Sequence, residues 1–205
     1  MPNEDRTKII CGRTPESAAM LANVKRAMAI TANLNRLTFN DADEIRALFS
    51  ELIGKKVDES FLLIPPFYTA GGDEIRVGRN VFVNQNCTFY DLGGLDIADD
   101  VMIGPNVSLI TAGHPLEPSQ RRSTTGKPIA IGKNVWIAAG AIVIGGVTVG
   151  ENSVVAAGSA LAQIAFEAGF ADHAHFSNVF RRHTGLTPLN YRRQFKSRVG
   201  HARQS

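Results

Sequence analysis

"IAIGKNVWIAAGAIVIGGVTVGENSVVAAGS", residues 129–159, places an aliphatic side chain at every sixth position: Ile131, Ile137, Val143, Val149 and Val155. A fixed short period marks a solenoid, here a parallel β-helix of short strands and tight turns, in which each coil buries its apolar face against the next. The same beat runs backwards through Leu109, Ile103 and Ile97, and then through Phe89, Val83 and Val77. Four places after many of these lead residues stands a small or β-branched one: Val81, Cys87, Val101, Val107, Val135, Ala141, Val147 and Ser153. Glycine follows the lead residue at 78, 104, 132 and 150. The lead residues are expected to fill one narrow interior column. Two interruptions break the count, two residues near "DLGGLD" (91–96) and a longer stretch from Thr111 to Pro128. Loops thrown out from a rigid scaffold are where function concentrates.

Upstream the pattern is helical. Met20, Leu21, Val24, Met28, Ile30 and Leu34 recur at helical spacing over residues 16–35. In "NDADEIRALFSELIG", Asp41 and Glu44 form a capping-box pattern, Ile45, Leu48, Phe49 and Leu52 one apolar stripe, and Gly54 a stop. Pro65 and Pro66 then end helicity.

The 205-residue chain is 44% hydrophobic and 20% charged, the composition of a soluble globular protein. No run of 18 apolar residues suggests a membrane span, and "MPNEDRTKII" is too polar for a secretory signal. Cys11 and Cys87 suggest neither a disulfide framework nor a metal site. A cytoplasmic location is the default expectation. The net charge of +3 is unevenly divided: residues 161–205 hold seven Lys/Arg and two Asp/Glu, while residues 1–160 hold fifteen and seventeen. Four of the five histidines also lie in the basic tail. Such asymmetry points to a segment with its own partner, nucleic acid first, or to a solubilising tail.

"FVNQNCTFYD" (82–91), "IGPNVSLITAGHP" (103–115) and residues 126–159 resemble, in the same order, segments of the hexapeptide-repeat acyltransferases of the galactoside/maltose O-acetyltransferase group. The resemblance covers residues 36–159 well and 1–35 weakly. It implies a left-handed β-helix, a homotrimer, and acetyl-CoA as co-substrate in clefts between subunits, with no metal. By position it makes His114 the general base and Asn84 the side chain holding the acceptor oxygen. Asp91 falls near an acidic acceptor site. Trp136 lines the CoA cleft with Ala157, and the Ala139 N–H faces the thioester oxyanion. An imidazole suits the base role because its pKa lies near working pH. Each has a plainer reading: a polar turn for His114, a satisfied corner for Asn84, an edge cover for Trp136. Two departures stand out. "CGRTPESAAM" lacks the Tyr-Asp pair that the family brings toward the acceptor sugar, and the stretch after "VVAAGS" replaces the family's CoA-closing segment.

What replaces it, "GFADHAHFSNVFRRHTGLTPLNYRR" (169–193), resembles the signature of AraC/XylS-type transcription regulators, and "LAQIAFEA" before it resembles the first helix of their second helix-turn-helix unit. The resemblance implies a recognition-type helix exposing His173, His175, Ser177 and Asn178, with Arg181 and Arg182 near phosphates. The plainer reading is a helical cap on the last coil.

The chain is therefore expected to be mainly β, in three parts. Residues 1–56 form a helical segment, 57–159 a left-handed β-helix, and 160–205 an α-helical half helix-turn-helix tail. The expected function is acetyl transfer from acetyl-CoA to a sugar-like hydroxyl; the alternatives are a DNA-binding regulator with an oligomerising body, and an inactive hybrid.

Overall fold

The computed structural model describes residues 7–161. From Leu62 the backbone winds as a parallel β-helix with three faces. The first sheet stacks Leu62–Leu63, Phe82–Val83, Met102–Ile103, Trp136–Ile137 and Val154–Val155. The second stacks Phe67–Thr69, Cys87–Tyr90, Ser108–Ile110, Ile142–Ile144 and Ala160–Leu161. The third stacks Ile75–Val77, Leu95–Ile97, Ile129–Ile131 and Thr148–Val149. From Val83 to Val155 every lead residue of the six-residue beat is buried, and Val77 packs partly exposed against the same column. Burying a side chain of this size stabilises by about 1.5–3 kcal/mol, so the column is the main support of the solenoid. Cys87 belongs to it. Burial pushes its thiol up to about 11, which makes it a packing residue rather than a nucleophile.

A second six-residue beat is carried by the backbone. Asn80, Asp100, Asn134 and Asn152 turn one corner of the prism in the left-handed region; Asn86, Asn106, Gly140 and Gly158 turn the next; Gly72, Gly94 and Gly146 turn the third. Asparagine tolerates this region because its short amide bonds locally. Here the amides also bond from coil to coil, Asn80 Nδ2 to Asp100 Oδ1 at 3.0 Å and Asn134 Nδ2 to Asn152 Oδ1 at 2.9 Å. The glycines read from sequence at 78, 104 and 132 do something different. A Cβ on Gly104 would lie 2.8 Å from the Ala139 nitrogen, so glycine there lets successive coils touch. A test follows from the corner geometry. Asn106, at φ 60, changed to alanine is expected to cost about 1–2 kcal/mol, and changed to glycine less than half of that. Urea unfolding checks the ranking, and equal losses would remove the conformational argument.

Two helices pack on the first coil. The helix Pro15–Leu34 buries Ala27, Ile30 and Leu34 but leaves Leu21 and Met28 exposed, against the apolar spacing read from sequence. The helix Ala42–Ile53 buries Ile45, Phe49 and Leu52 and ends at Gly54 in the left-handed region, as its sequence predicts. Its capping box does not form. The Asp41 carboxylate instead accepts from the N–H and hydroxyl of Thr38, and these bonds hold it below the usual carboxylate range. The capping box lies on the first helix, where the Thr14 hydroxyl accepts from the Ser17 N–H and the Ser17 hydroxyl from the Thr14 N–H. Phe49, Phe67 and Phe89 run from the second helix into the solenoid, with edge-on ring contacts at 5.5 and 5.0 Å.

The outer faces differ in chemistry. The third sheet presents Arg76, Asp96, Ala130 and Thr148, and the first presents the in-register column Leu62, Phe82, Met102, Trp136 and Val154. Met102, Trp136 and Val154 are 51%, 48% and 63% exposed, a continuous apolar stripe. Among the described residues, no helix is long and apolar enough to cross a membrane.

Candidate active site

The long interruption is a two-stranded excursion. Ala112–Gly113 leads out and Thr124–Gly126 returns antiparallel to it, with Gly113 opposite Thr125. Its two ends meet at one point, where the Lys127 N–H donates to the Thr111 carbonyl at 2.8 Å. The buried Thr111 hydroxyl donates to the Tyr90 carbonyl and accepts from the Gly93 N–H. Gly93 must be glycine, because a Cβ there would sit 2.4 Å from the Lys127 nitrogen. A third strand, Lys8–Ile10, pairs with the free edge of the returning strand, Ile10 opposite Thr124 and Lys8 opposite Gly126. Sequence reading missed it, because three residues carry too little pattern to announce a strand.

His114 stands at the end of the outgoing strand. Its Nδ1 lies 2.8 Å from the Ser123 carbonyl oxygen. A carbonyl only accepts, so the neutral ring carries its proton on Nδ1 and leaves the Nε2 lone pair unencumbered. The imidazole borders a cavity of about 720 Å³ walled by the first helix (Met20, Val24), the excursion, and the end of the second sheet. That volume suits a small organic ligand. Glu16, Asp73, Glu74 and Asp91 bring acidic groups to its wall. Asp91 is 1% exposed. Its carboxylate accepts from the Gly71 N–H, the Thr69 hydroxyl and the Glu74 N–H, all at 3.0–3.2 Å. Three of its roughly four acceptor positions are thus occupied in shaping the wall. Glu16, Asp73 and Glu74 carry no motif that sequence reading could have used; only the fold brings them here.

The remaining candidates gather elsewhere. Asn84, Trp136, Ala139 and Ala157 do not border this cavity. Trp136 lies on the first sheet, and the other three follow its strands Phe82–Val83, Trp136–Ile137 and Val154–Val155, along a single corner of the prism. Asn84 Oδ1 accepts from the Gln85 N–H at 2.8 Å, while Trp136, Ala139 and Ala157 are exposed. One chain therefore holds the site residues in two groups, on different edges. The candidates His173, His175, Ser177, Asn178, Arg181 and Arg182 lie outside the described residues. No three His, Cys, Asp or Glu side chains gather as a metal site among the described residues.

A hexapeptide solenoid whose longest excursion carries a histidine to a ligand-sized cavity defines the class: a hexapeptide-repeat protein with a binding site beside its loop. The bacterial transferase hexapeptide family (six repeats) matches residues 128–163, and a helix-turn-helix domain family matches residues 153–194. The galactoside O-acetyltransferase of Lactococcus lactis is 31% identical over 148 residues, 71% of either chain. A putative acetyltransferase of Saccharomyces cerevisiae is 40% identical over 127 residues, 61% of this chain and 64% of the relative. This chain thus matches just under two thirds of that relative's length. Among solved structures, a hexapeptide-repeat acetyltransferase of Vibrio cholerae complexed with acetyl coenzyme A superimposes with a TM-score of 0.60 at 32% identity, over 74% of this chain and 80% of that one. The chain belongs to the hexapeptide-repeat acetyltransferases, in the galactoside/maltose O-acetyltransferase group.

Proposed function

We propose that the chain transfers an acetyl group from acetyl-CoA to a hydroxyl of a sugar-like acceptor, with His114 as general base. The observation that carries this reading is the Nδ1 contact to the Ser123 carbonyl, which leaves Nε2 as an acceptor at the cavity. The Lactococcus relative supports a sugar-like acceptor, and the acetyl-CoA complex of the Vibrio protein supports the donor. The acceptor hydroxyl gives its proton to Nε2 while its oxygen attacks the thioester carbonyl carbon. The tetrahedral oxyanion is met by the Ala139 N–H, the C–S bond breaks, and the imidazolium returns the proton to the departing sulfur. The products are the acetyl ester and CoA thiol. Proton transfer from a positioned base contributes about 10²–10⁴-fold, and holding both reactants in one cleft supplies much of the remainder.

The two separated groups of site residues are joined in a homotrimer. Packing the apolar stripe of the first sheet against a neighbour removes it from water and brings the Asn84, Trp136, Ala139 and Ala157 edge of one copy beside the His114 cavity of the next. Three-fold closure gives three such clefts. Trp136 and Ala157 then wall the CoA arm, and Asn84 holds the acceptor oxygen. The test is release of CoA thiol from acetyl-CoA over a panel of neutral sugars. Release that no member of the panel accelerates would overturn the reading.

A second reading rests on the helix-turn-helix match at residues 153–194. In it the basic tail binds duplex DNA through His173, His175, Ser177 and Asn178, with Arg181 and Arg182 on phosphates, and the solenoid is an oligomerising body. A mobility shift at low salt that weakens for Arg181→Ala and Arg182→Ala is its expected result. Absence of any shift at low salt would remove it.

A further inference from the structure

We infer that the N-terminal strand Lys8–Ile10 and Gly12 are the positioning element of His114, acting through the carbonyl of Ser123. The inference rests on the reading of His114 as the base. Ser123 immediately precedes the returning strand Thr124–Gly126, the middle strand of a three-stranded sheet. One edge of that strand holds Ala112–Gly113, which leads directly to His114; the other holds Lys8–Ile10. The height at which the Ser123 carbonyl meets Nδ1 is thus fixed from both sides.

Gly12 sets the limit of approach. A Cβ on it would lie 2.8 Å from the Arg122 carbonyl oxygen and 3.4 Å from the carbonyl carbon, one residue before Ser123. Glycine lets the two backbones touch, and any side chain pushes residues 122–123 outward. The segment around Gly12 is itself anchored. Ile10 is buried, Lys8 pairs with Glu74 on the cavity wall, and the Thr14 hydroxyl donates to the Cys11 carbonyl at 2.8 Å where the first helix begins. Strand, glycine and capped helix form one bracket behind the imidazole.

The charged and polar groups around His114 come from several elements. Glu16 from the first helix, Asp73 and Glu74 from the turn before the third sheet, and Tyr90 and Asp91 from the second sheet border the same cavity. Arg121 and Arg122 stand in the excursion. Arg122 moves together with the Ser123 carbonyl, and without that carbonyl the ring turns freely and Nε2 is no longer held toward the cavity.

The experiment uses the full chain, with acetyl-CoA as donor and methyl β-galactoside as acceptor, and compares the parent, Gly12→Ala and His114→Ala. Gly12→Ala is expected to lower kcat about 10- to 100-fold with KM for acetyl-CoA within about twofold. The lost contact is read without turnover, by NMR, as weakening of the hydrogen-bonded Nδ1 proton resonance that His114→Ala abolishes. A merely structural role would reduce the folded fraction and leave that resonance and the kcat of the folded enzyme in place. If His114→Ala is as fast as the parent, the base assignment fails. If His114→Ala is slow while Gly12→Ala keeps the parent's kcat and Nδ1 proton resonance, the positioning inference alone is overturned. Should Gly12→Ala not fold, Lys8→Met, which releases the strand from Glu74, decides by the same resonance: a partial weakening supports the bracket, and an unchanged resonance overturns it.

Discussion

His114→Ala is expected to lower kcat by about 10²–10⁴-fold, with KM for acetyl-CoA changed by less than about twofold. The size follows from what the ring does in the proposed reaction. Nε2 is the basic nitrogen presented to the cavity, and Nδ1 is held by the Ser123 carbonyl. Without the ring the acceptor hydroxyl must lose its proton to water as it attacks, and the departing thiolate leaves without a donor. What survives is positioning and the backbone donor at the thioester. The substitution also separates catalysis from folding. His114 is exposed, and among the described residues its bond to Ser123 is the one that ties its side chain down, so stability should shift by no more than about 0.5 kcal/mol. Steady-state kinetics with a thermal melt of the same sample tests both halves. Full turnover in the alanine variant would end the general-base mechanism, and a large loss of stability would show that the imidazole supports the excursion instead.

Phe67→Ala is expected to cost about 3–5 kcal/mol, a large share of the roughly 5–15 kcal/mol that holds a typical protein folded. The ring is 0% exposed and is the middle of three. It meets Phe49 of the second helix at 5.5 Å and Phe89 of the solenoid interior at 5.0 Å, both edge-on. Removing it opens a void between the helices and the first coil, with two aromatic faces left unpacked. The backbone at this point does not relax to fill the space, because the Asn35 side chain clamps both the N–H and the carbonyl of Phe67, at 2.8 and 3.0 Å. Phe67→Leu, which keeps most of the volume, should lose far less. Denaturant unfolding measures the pair. A loss under about 1 kcal/mol for alanine would mean that the helices and the solenoid do not share a core.

The solenoid was legible because its repeat is written in side chains that must be apolar: Ile131, Ile137, Val143 and Val155 have nowhere to go but the column. The corner rhythm was equally regular and went unread. Asn106 and Asn134 occupy left-handed turns, and asparagine is common enough on any surface to pass unnoticed. Asp41 and Glu44 mimicked a capping box, yet Thr38 lies three residues nearer the start of the chain and captures the carboxylate first. His114 could be singled out only through its family resemblance. Of the groups gathered about it, Gly12 is placed by strand pairing between segments more than a hundred residues apart, Asp73 and Glu74 by the stacking of one coil on the next, and Ser123 acts through a backbone carbonyl that any residue supplies. Nothing local encodes any of these.

The hydrogen bond between Lys127 and Thr111 closes the excursion at its root. Because the chain departs from the coil and rejoins it through one doorway, the register of the stacked rungs does not depend on how many residues lie beyond. What ties the module to the rest of the fold is the returning strand, whose outer edge is already taken by Lys8–Ile10.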